Sequence, residues 1–289
     1  MANVYYCCPF VPTELVVACG HIPLRSRVAA QTPTSAAETE GLCAWAAAFV
    51  QTLTQQTDVG AVIFTTACDQ MRRVFELYTE RSKRPAFLLN IPKTSGPTAM
   101  ALLAGEFNRF ARFLANLDGG KKGHDNLQQF LNTLNPQKRV PVHDGLAVIG
   151  GPLFDFDLDR LSQVIKQFRL KICFDGTEPG WRHYRLPCDE TAKNTSPLEM
   201  LAQSYLSTPA IWKRPGLPFF EWLTVQIKMC HAVGVIIIQH PFCDYWRAAA
   251  HDIKCRLSIP VVTVETGEGG CFSSAALSRL EAFLEQCAQ

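Results

Sequence analysis

Short apolar runs rich in β-branched residues recur along the chain at Ala61 to Thr65, Ala86 to Ile91, Leu146 to Ile149, Leu170 to Phe174, Val233 to Ile238 and Ile259 to Val264. Continuous runs of this length fit strands buried on both faces, as in a parallel sheet. Between them lie longer segments with helical spacing: Cys43 to Leu53, Asp69 to Glu80, Thr98 to Leu117, Leu217 to His231, Tyr245 to Arg256 and Ser273 to Cys287. Strand and helix in alternation specify an α/β fold. The stretch Asp118 to Asp144 breaks the rhythm: it is polar, holds Gly119, Gly120 and Gly123, and carries Pro136 and Pro141 ahead of the run at Leu146. It marks a lobe boundary, with an N-terminal α/β lobe over 1–140 and a C-terminal α/β lobe over 141–289, the last helix free to pack back on the first lobe. A second irregular stretch, Gly176 to Pro197, is long enough to form a functional loop.

A weak internal repeat shows how the two lobes are related. Val59-Gly60-Ala61-Val62-Ile63-Phe64-Thr65-Thr66-Ala67-Cys68-Asp69 has a counterpart in Val233-Gly234-Val235-Ile236-Ile237-Ile238-Gln239-His240-Pro241-Phe242-Cys243-Asp244. Both read as strand, short loop, Cys-Asp, helix. A further strand follows each at similar distance, so the lobes are topologically alike. In open α/β sheets the loops at the carboxyl ends of strands form the ligand crevice, which is where both Cys-Asp pairs fall.

Composition narrows the function classes. With 289 residues, 47% hydrophobic and 19% charged, the chain has ample apolar material for a large core. Its net charge of +2 arises from interspersed charges, which argues against electrostatic capture of nucleic acid or a membrane surface and for a small-molecule site. No apolar stretch reaches the length of about 18 residues needed to span a bilayer. Met1 to Glu14 lacks a basic region followed by an apolar one, so the expected location is cytoplasmic and reducing. Twelve cysteines are many for such surroundings and favour metal ligation or redox chemistry over disulfides. For any single cysteine, core packing is the ordinary role.

Cys68 and Cys243 are expected at helix N-termini, where exposed N–H groups and the helix dipole favour a thiolate or an anionic cluster. Asp69 and Asp244 read as helix caps. A third cysteine, Cys8, lies in a loop leading into a helix that starts near Pro12, with Cys7 as its rival. Three thiolates from distant segments are reminiscent of a cubane whose fourth iron stays open. Cys19, Cys43, Cys173, Cys230, Cys255 and Cys287 read as packing residues. Cys188 and Cys271 fall in irregular segments. His240 is the one histidine beside a cysteine loop, while His21, His231 and His251 read as structural or surface groups. Gly150-Gly151-Pro152 reads as a tight turn, and Asp155, Asp157 and Asp159 read as a solvated acidic run at a helix start.

These segments carry a resemblance along nearly the whole chain. Cys8-Pro9-Phe10-Val11-Pro12-Thr13-Glu14-Leu15 and Ala18-Cys19-Gly20-His21-Ile22-Pro23 resemble the first cysteine loop of the 2-hydroxyacyl-CoA dehydratase and benzoyl-CoA reductase family. Thr66-Ala67-Cys68-Asp69 resembles its second cysteine segment, Phe242-Cys243-Asp244 its third, and Ser278 to Glu285 its closing helix. Gly180-Trp181-Arg182 resembles a further family element, which leaves Arg182 two readings, a carboxylate or phosphate contact and an ordinary loop residue. Glu265 to Cys271 departs from the family pattern. The resemblance implies two flavodoxin-like lobes with a 4Fe-4S iron-sulfur cluster between them, bound by Cys8, Cys68 and Cys243. It also implies pairing with a copy or a related subunit, a separate ATP-hydrolysing iron-sulfur activator, and a small substrate such as an acyl-CoA thioester. Two other readings stand beside an oxygen-sensitive dehydratase or reductase: a double-cubane 8Fe-9S protein that reduces small molecules or carries electrons, and a cluster-free scaffold or maturation partner.

Overall fold

Alternating apolar strands bury both faces only when helices cover them on each side, and the chain does this twice. The computed structural model describes residues 1–28, 41–121, 124–133, 142–177, 196–267 and 272–289. Two units result, one of Met1–Ser26, Val50–Gln137 and Tyr184–Pro215, the other of Arg27–Phe49, Lys138–His183 and Gly216–Gln289. Two stretches, 27–49 and 184–215, thus belong to a different unit from the sequence on either side of them.

In the first unit, β1 (Asn3–Tyr6), β2 (Ile22–Arg25), β3 (Ala61–Thr65) and β4 (Ala86–Leu89) form a parallel sheet in the order β2-β1-β3-β4. The helices are α1 (Thr13–Ala18), α2 (Ala44–Gln55), which carries the boundary between the units, α3 (Asp69–Arg81), α4 (Pro97–Ala115), α5 (His124–Thr133) and α7 (Pro197–Ser207). The core is aromatic: Phe64 packs at 5.6 Å on Tyr78, Phe87 at 5.1 Å on Phe110, and Phe107 meets Tyr205 edge-on at 5.6 Å. Such pairs add about 0.5–1.5 kcal/mol each beyond burial.

In the second unit, β5 (Leu146–Gly150), β6 (Ile172–Thr177), β7 (Gly234–Gln239) and β8 (Val261–Glu265) form a parallel sheet in the order β6-β5-β7-β8. The sheet order is the same as in the first unit, and both follow the flavodoxin-like 2-1-3-4 pattern. Its helices are α6 (Asp155–Gln167), α8 (Leu217–Met229), α9 (Asp244–Arg256) and α10 (Ser274–Cys287). The last helix packs within this unit: Leu280, Phe283 and Leu284 join Leu146, Ile236 and Val264 in one core cluster. Gly150 is obligatory, with φ of 135° and room for no Cβ, which would lie 2.2 Å from the Ile238 carbonyl oxygen. Gly150-Gly151-Pro152 is thus a tight strand end, as read from sequence.

Candidate functional site

A parallel sheet opens a crevice at the carboxyl ends of the two strands between which its order reverses. In the first unit those strands are β1 and β3, and in the second they are β5 and β7. Cys8 follows β1 and Cys68 follows β3, so both leave neighbouring strands at the reversal point. Cys243 follows β7 in the second unit. Its position matches that of Cys68 closely. Cys68 lies five residues beyond Ile63, the partner of the last residue of β1, and Cys243 five beyond Ile238, the partner of the last residue of β5.

Cys68 occupies the N-cap of α3 in extended conformation, and its carbonyl accepts from Met71 N at 3.1 Å. Cys243 occupies the N-cap of α9, with its carbonyl accepting from Arg247 N at 3.0 Å. Neither sulfur makes a capping hydrogen bond. Asp69 and Asp244 therefore do not cap; they are the first helical residues, where a carboxylate still meets the dipole favourably. Phe242, just before Cys243, is more than half exposed and has φ of 64°, a conformation costly for an aromatic residue.

The adjacent Cys7 and Cys8 differ. Cys7 is buried, its thiol 3.6 Å from Met71 Sδ and its carbonyl accepting from Arg25 Nη2 at 2.9 Å, whereas Cys8 is half-buried. The Cys8 loop closes on itself through Val11 N, which donates to Cys8 O at 3.2 Å. The Tyr205 hydroxyl, from α7, lies 3.1 Å from Val11 O and 3.0 Å from Glu14 Oε2. Glu14 is itself 2% exposed. Sequence reading missed this brace, because α7 follows the long irregular stretch and nothing in its composition ties it to residues near position 10.

The loop after β5 that corresponds to the Cys8 loop carries no thiol. Pro152 stands there, and its carbonyl accepts a hydrogen bond from His240 Nε2. A carbonyl only accepts, so Nε2 carries the proton and Nδ1 accepts from the Thr266 hydroxyl at 2.8 Å. Burial pushes the His240 pKa down. The ring is a neutral structural tie, with both nitrogens engaged. His21 has a similar part in the first unit, accepting from Ala2 N at 3.1 Å and donating to Leu114 O at 2.9 Å.

Asp157 is a correction to the solvated acidic run. It is fully buried, its Oδ1 accepts from Phe272 N at 3.3 Å, and its Oδ2 has no partner among the described residues. Burial raises its pKa. Cys19, Cys43, Cys173 and Cys230 are buried, whereas Cys255 is exposed on α9, 3.6 Å from His251 Nε2. Cys43 has its pKa pushed up to about 11, chiefly by burial and further by the nearby Cys243. Arg182, Cys188 and Cys271 lie outside the described residues. Within neither unit, among the described residues, do three or more His, Cys, Asp or Glu side chains gather as a metal-binding group. A shallow groove of about 360 Å³ lined by Phe220, Val225 and Arg256 lies at the far end of α9 from Cys243. No described helix is long and apolar enough to cross a membrane.

Comparison with known proteins places this geometry in context. The sequence model of the family "2-hydroxyglutaryl-CoA dehydratase, D-component" matches residues 8–140 and 147–287, one segment for each half of the repeat. No curated protein matches the chain. Among solved structures, the laminin-binding protein Lbp of Streptococcus pyogenes is similar at 13% identity, with 100% of this chain and 98% of that one covered and a TM-score of 0.24. ZnuA aligns at 11% identity, covering 99% and 98%, with a TM-score of 0.28. The periplasmic zinc-binding protein TroA from Treponema pallidum aligns at 9% identity, covering 100% and 99%, with a TM-score of 0.25. Likenesses this distant carry no argument. The family match does, because it spans nearly the whole chain and begins at Cys8: the chain belongs to the 2-hydroxyglutaryl-CoA dehydratase D-component family.

Proposed function

We propose that this chain is an iron-sulfur subunit of a 2-hydroxyacyl-CoA dehydratase or a related reductase, with its cluster held by Cys8, Cys68 and Cys243. One observation supports this reading most: in each unit a cysteine follows a strand at which the sheet order reverses and occupies the N-cap position of the next helix. The donor set fits a cluster. The three thiols are partly exposed, two of them lie at helix N-termini that favour thiolate, and neither helix uses its first acidic residue as a competing cap.

When bound, a cluster on three cysteines supplies a one-electron reservoir and an iron with a coordination position for substrate. The chain's own residues do the rest. The N-termini of α3 and α9 hold the thiolates of Cys68 and Cys243, and Tyr205 braces the Cys8 loop through Val11 and Glu14. The substrate class is an acyl-CoA thioester. The electron comes from a separate ATP-hydrolysing partner, since the sequence carries no phosphate-cradling loop of its own, and the subunit pairs with a copy of itself or a related chain.

A double-cubane reductase uses the same kind of cysteine set, and iron content separates the two. Anoxically purified protein carrying about four irons per cluster supports the dehydratase-type reading, and about eight supports the double cubane. Protein devoid of iron and sulfide after anoxic reconstitution contradicts both and leaves the scaffold. Replacement of Cys8, Cys68 or Cys243 by alanine is expected to abolish cluster retention, whereas Cys19→Ala, in the buried core, retains it.

A further inference from the structure

The Cys8 loop rests on a buried cation that the proposed chemistry has not yet used. Lys213 is 8% exposed, and no carboxylate pairs with it among the described residues. Its ammonium donates to the carbonyls of Leu206, Thr208 at 2.7 Å and Tyr205 at 3.4 Å, three groups at the C-terminal end of α7. A cation there meets the negative pole of the helix. It also lies 5.3 Å from the centroid of the Phe10 ring and 6.0 Å from that of Trp212, and the two rings pack edge to face at 5.0 Å. Phe10 is two residues beyond Cys8. From the same helix end, the Tyr205 hydroxyl donates to Val11 O and Glu14 Oε2.

A buried ammonium is costly unless something nearby gains from its charge. Carbonyl dipoles and ring faces compensate part of that cost, and burial still pushes the Lys213 pKa down to about 8. If the chain needed only to tie off three carbonyls, a neutral donor would serve. A retained charge beside the loop that carries an anionic ligand has an electrostatic use: it stabilises negative charge on that loop more than a neutral donor does.

We propose that Lys213 is a positioning residue for Cys8: through Phe10 and the end of α7 it fixes the cysteine loop, and its charge favours the more reduced, more negative state of the group held there. The inference deepens the proposed function and rests on it. Lys213 acts through the loop, by its contacts with Phe10, Trp212 and the carbonyls at the end of α7.

The test uses the full chain in two states. In anoxically reconstituted protein, Lys213→Met is expected to shift the midpoint potential of the cluster to a more negative value, and Lys213→Arg to restore it toward wild type. In cluster-free protein, hydrogen exchange of the peptide spanning Cys8 to Val16 is expected to quicken at least tenfold in Lys213→Met, with exchange in β5 and β7 unchanged. An unchanged potential in a Lys213→Met protein that still binds iron overturns the electrostatic part, and unchanged exchange overturns the clamp. Wild-type protein that takes up no iron contradicts the cluster reading instead, and the exchange measurement then decides the clamp alone. Should Lys213→Met not fold, Trp212→Leu tests the same contact with Phe10 and is expected to give the same local loss of protection, while full protection there overturns the clamp.

Discussion

Cys7 and Cys8 show how little separates a packing thiol from a ligand. Spacing leaves the two interchangeable, and the difference lies in what each meets: Cys7 is covered by Met71 from α3, a contact across 64 positions of sequence, and Cys8 stays accessible. Asp157 was misread for a similar reason. An acidic residue in the first turn of an amphipathic helix looks the same in sequence whether it faces water or the backbone N–H of Phe272. Its titration gives a prediction. Burial raises its folded pKa above the unfolded value of about 3.9, so the folded state binds its proton more tightly. The stability it contributes is full below the unfolded pKa and is lost as pH rises through the folded one. Asp157→Asn is therefore expected to melt higher than wild type at pH 7, with the gap closing toward pH 4, as thermal denaturation across that range would show. A gap that widens on acidification contradicts this.

At the scale of elements, the six apolar runs and six helical segments read from periodicity all correspond to strands and helices, with ends that differ by a few residues. What escaped notice is short or locally ambiguous. Strands β1 and β2 have four residues each, with tyrosines and a proline in place of a β-branched run. Helix α5 lies within the polar stretch read as the lobe boundary, and α7 begins where the irregular region ends. Yet α7 has a clear start signal. Ser196 accepts from Glu199 N, and Glu199 returns a hydrogen bond from Ser196 N at 2.9 Å, closing a capping box. Ser196→Ala is expected to cost about 1 kcal/mol, read from urea unfolding, and less than about 0.3 kcal/mol would deny the box a role. Gly150→Ala faces a backbone oxygen that has nowhere to go, as well as a positive φ. A loss of about 3 kcal/mol or more is expected in the same measurement.

For the whole molecule, the repeat read from the Cys-Asp segments corresponds to two sheets of identical strand order; its two cysteines, Cys68 and Cys243, and Cys8 outside it all follow strands at which an order reverses. That much was legible, because strand-loop-helix register is local. The exchange of residues 27–49 and 184–215 between units was not, since it depends on which surface each segment buries rather than on its own pattern. The copies are also unequal: the loop after β5 bears Pro152 tied to His240 where the first unit has Cys8, so the two halves together present three thiols at reversal points rather than four. The central claim is that these three thiols share one inorganic cluster. Iron, sulfide and paramagnetic resonance measured on strictly anoxic wild type and Cys68→Ala, side by side, test it most directly. The account predicts a reducible iron-sulfur signal in wild type that is lost in the variant while the circular dichroism of the fold is kept. An equal signal and equal iron in the two proteins would contradict it.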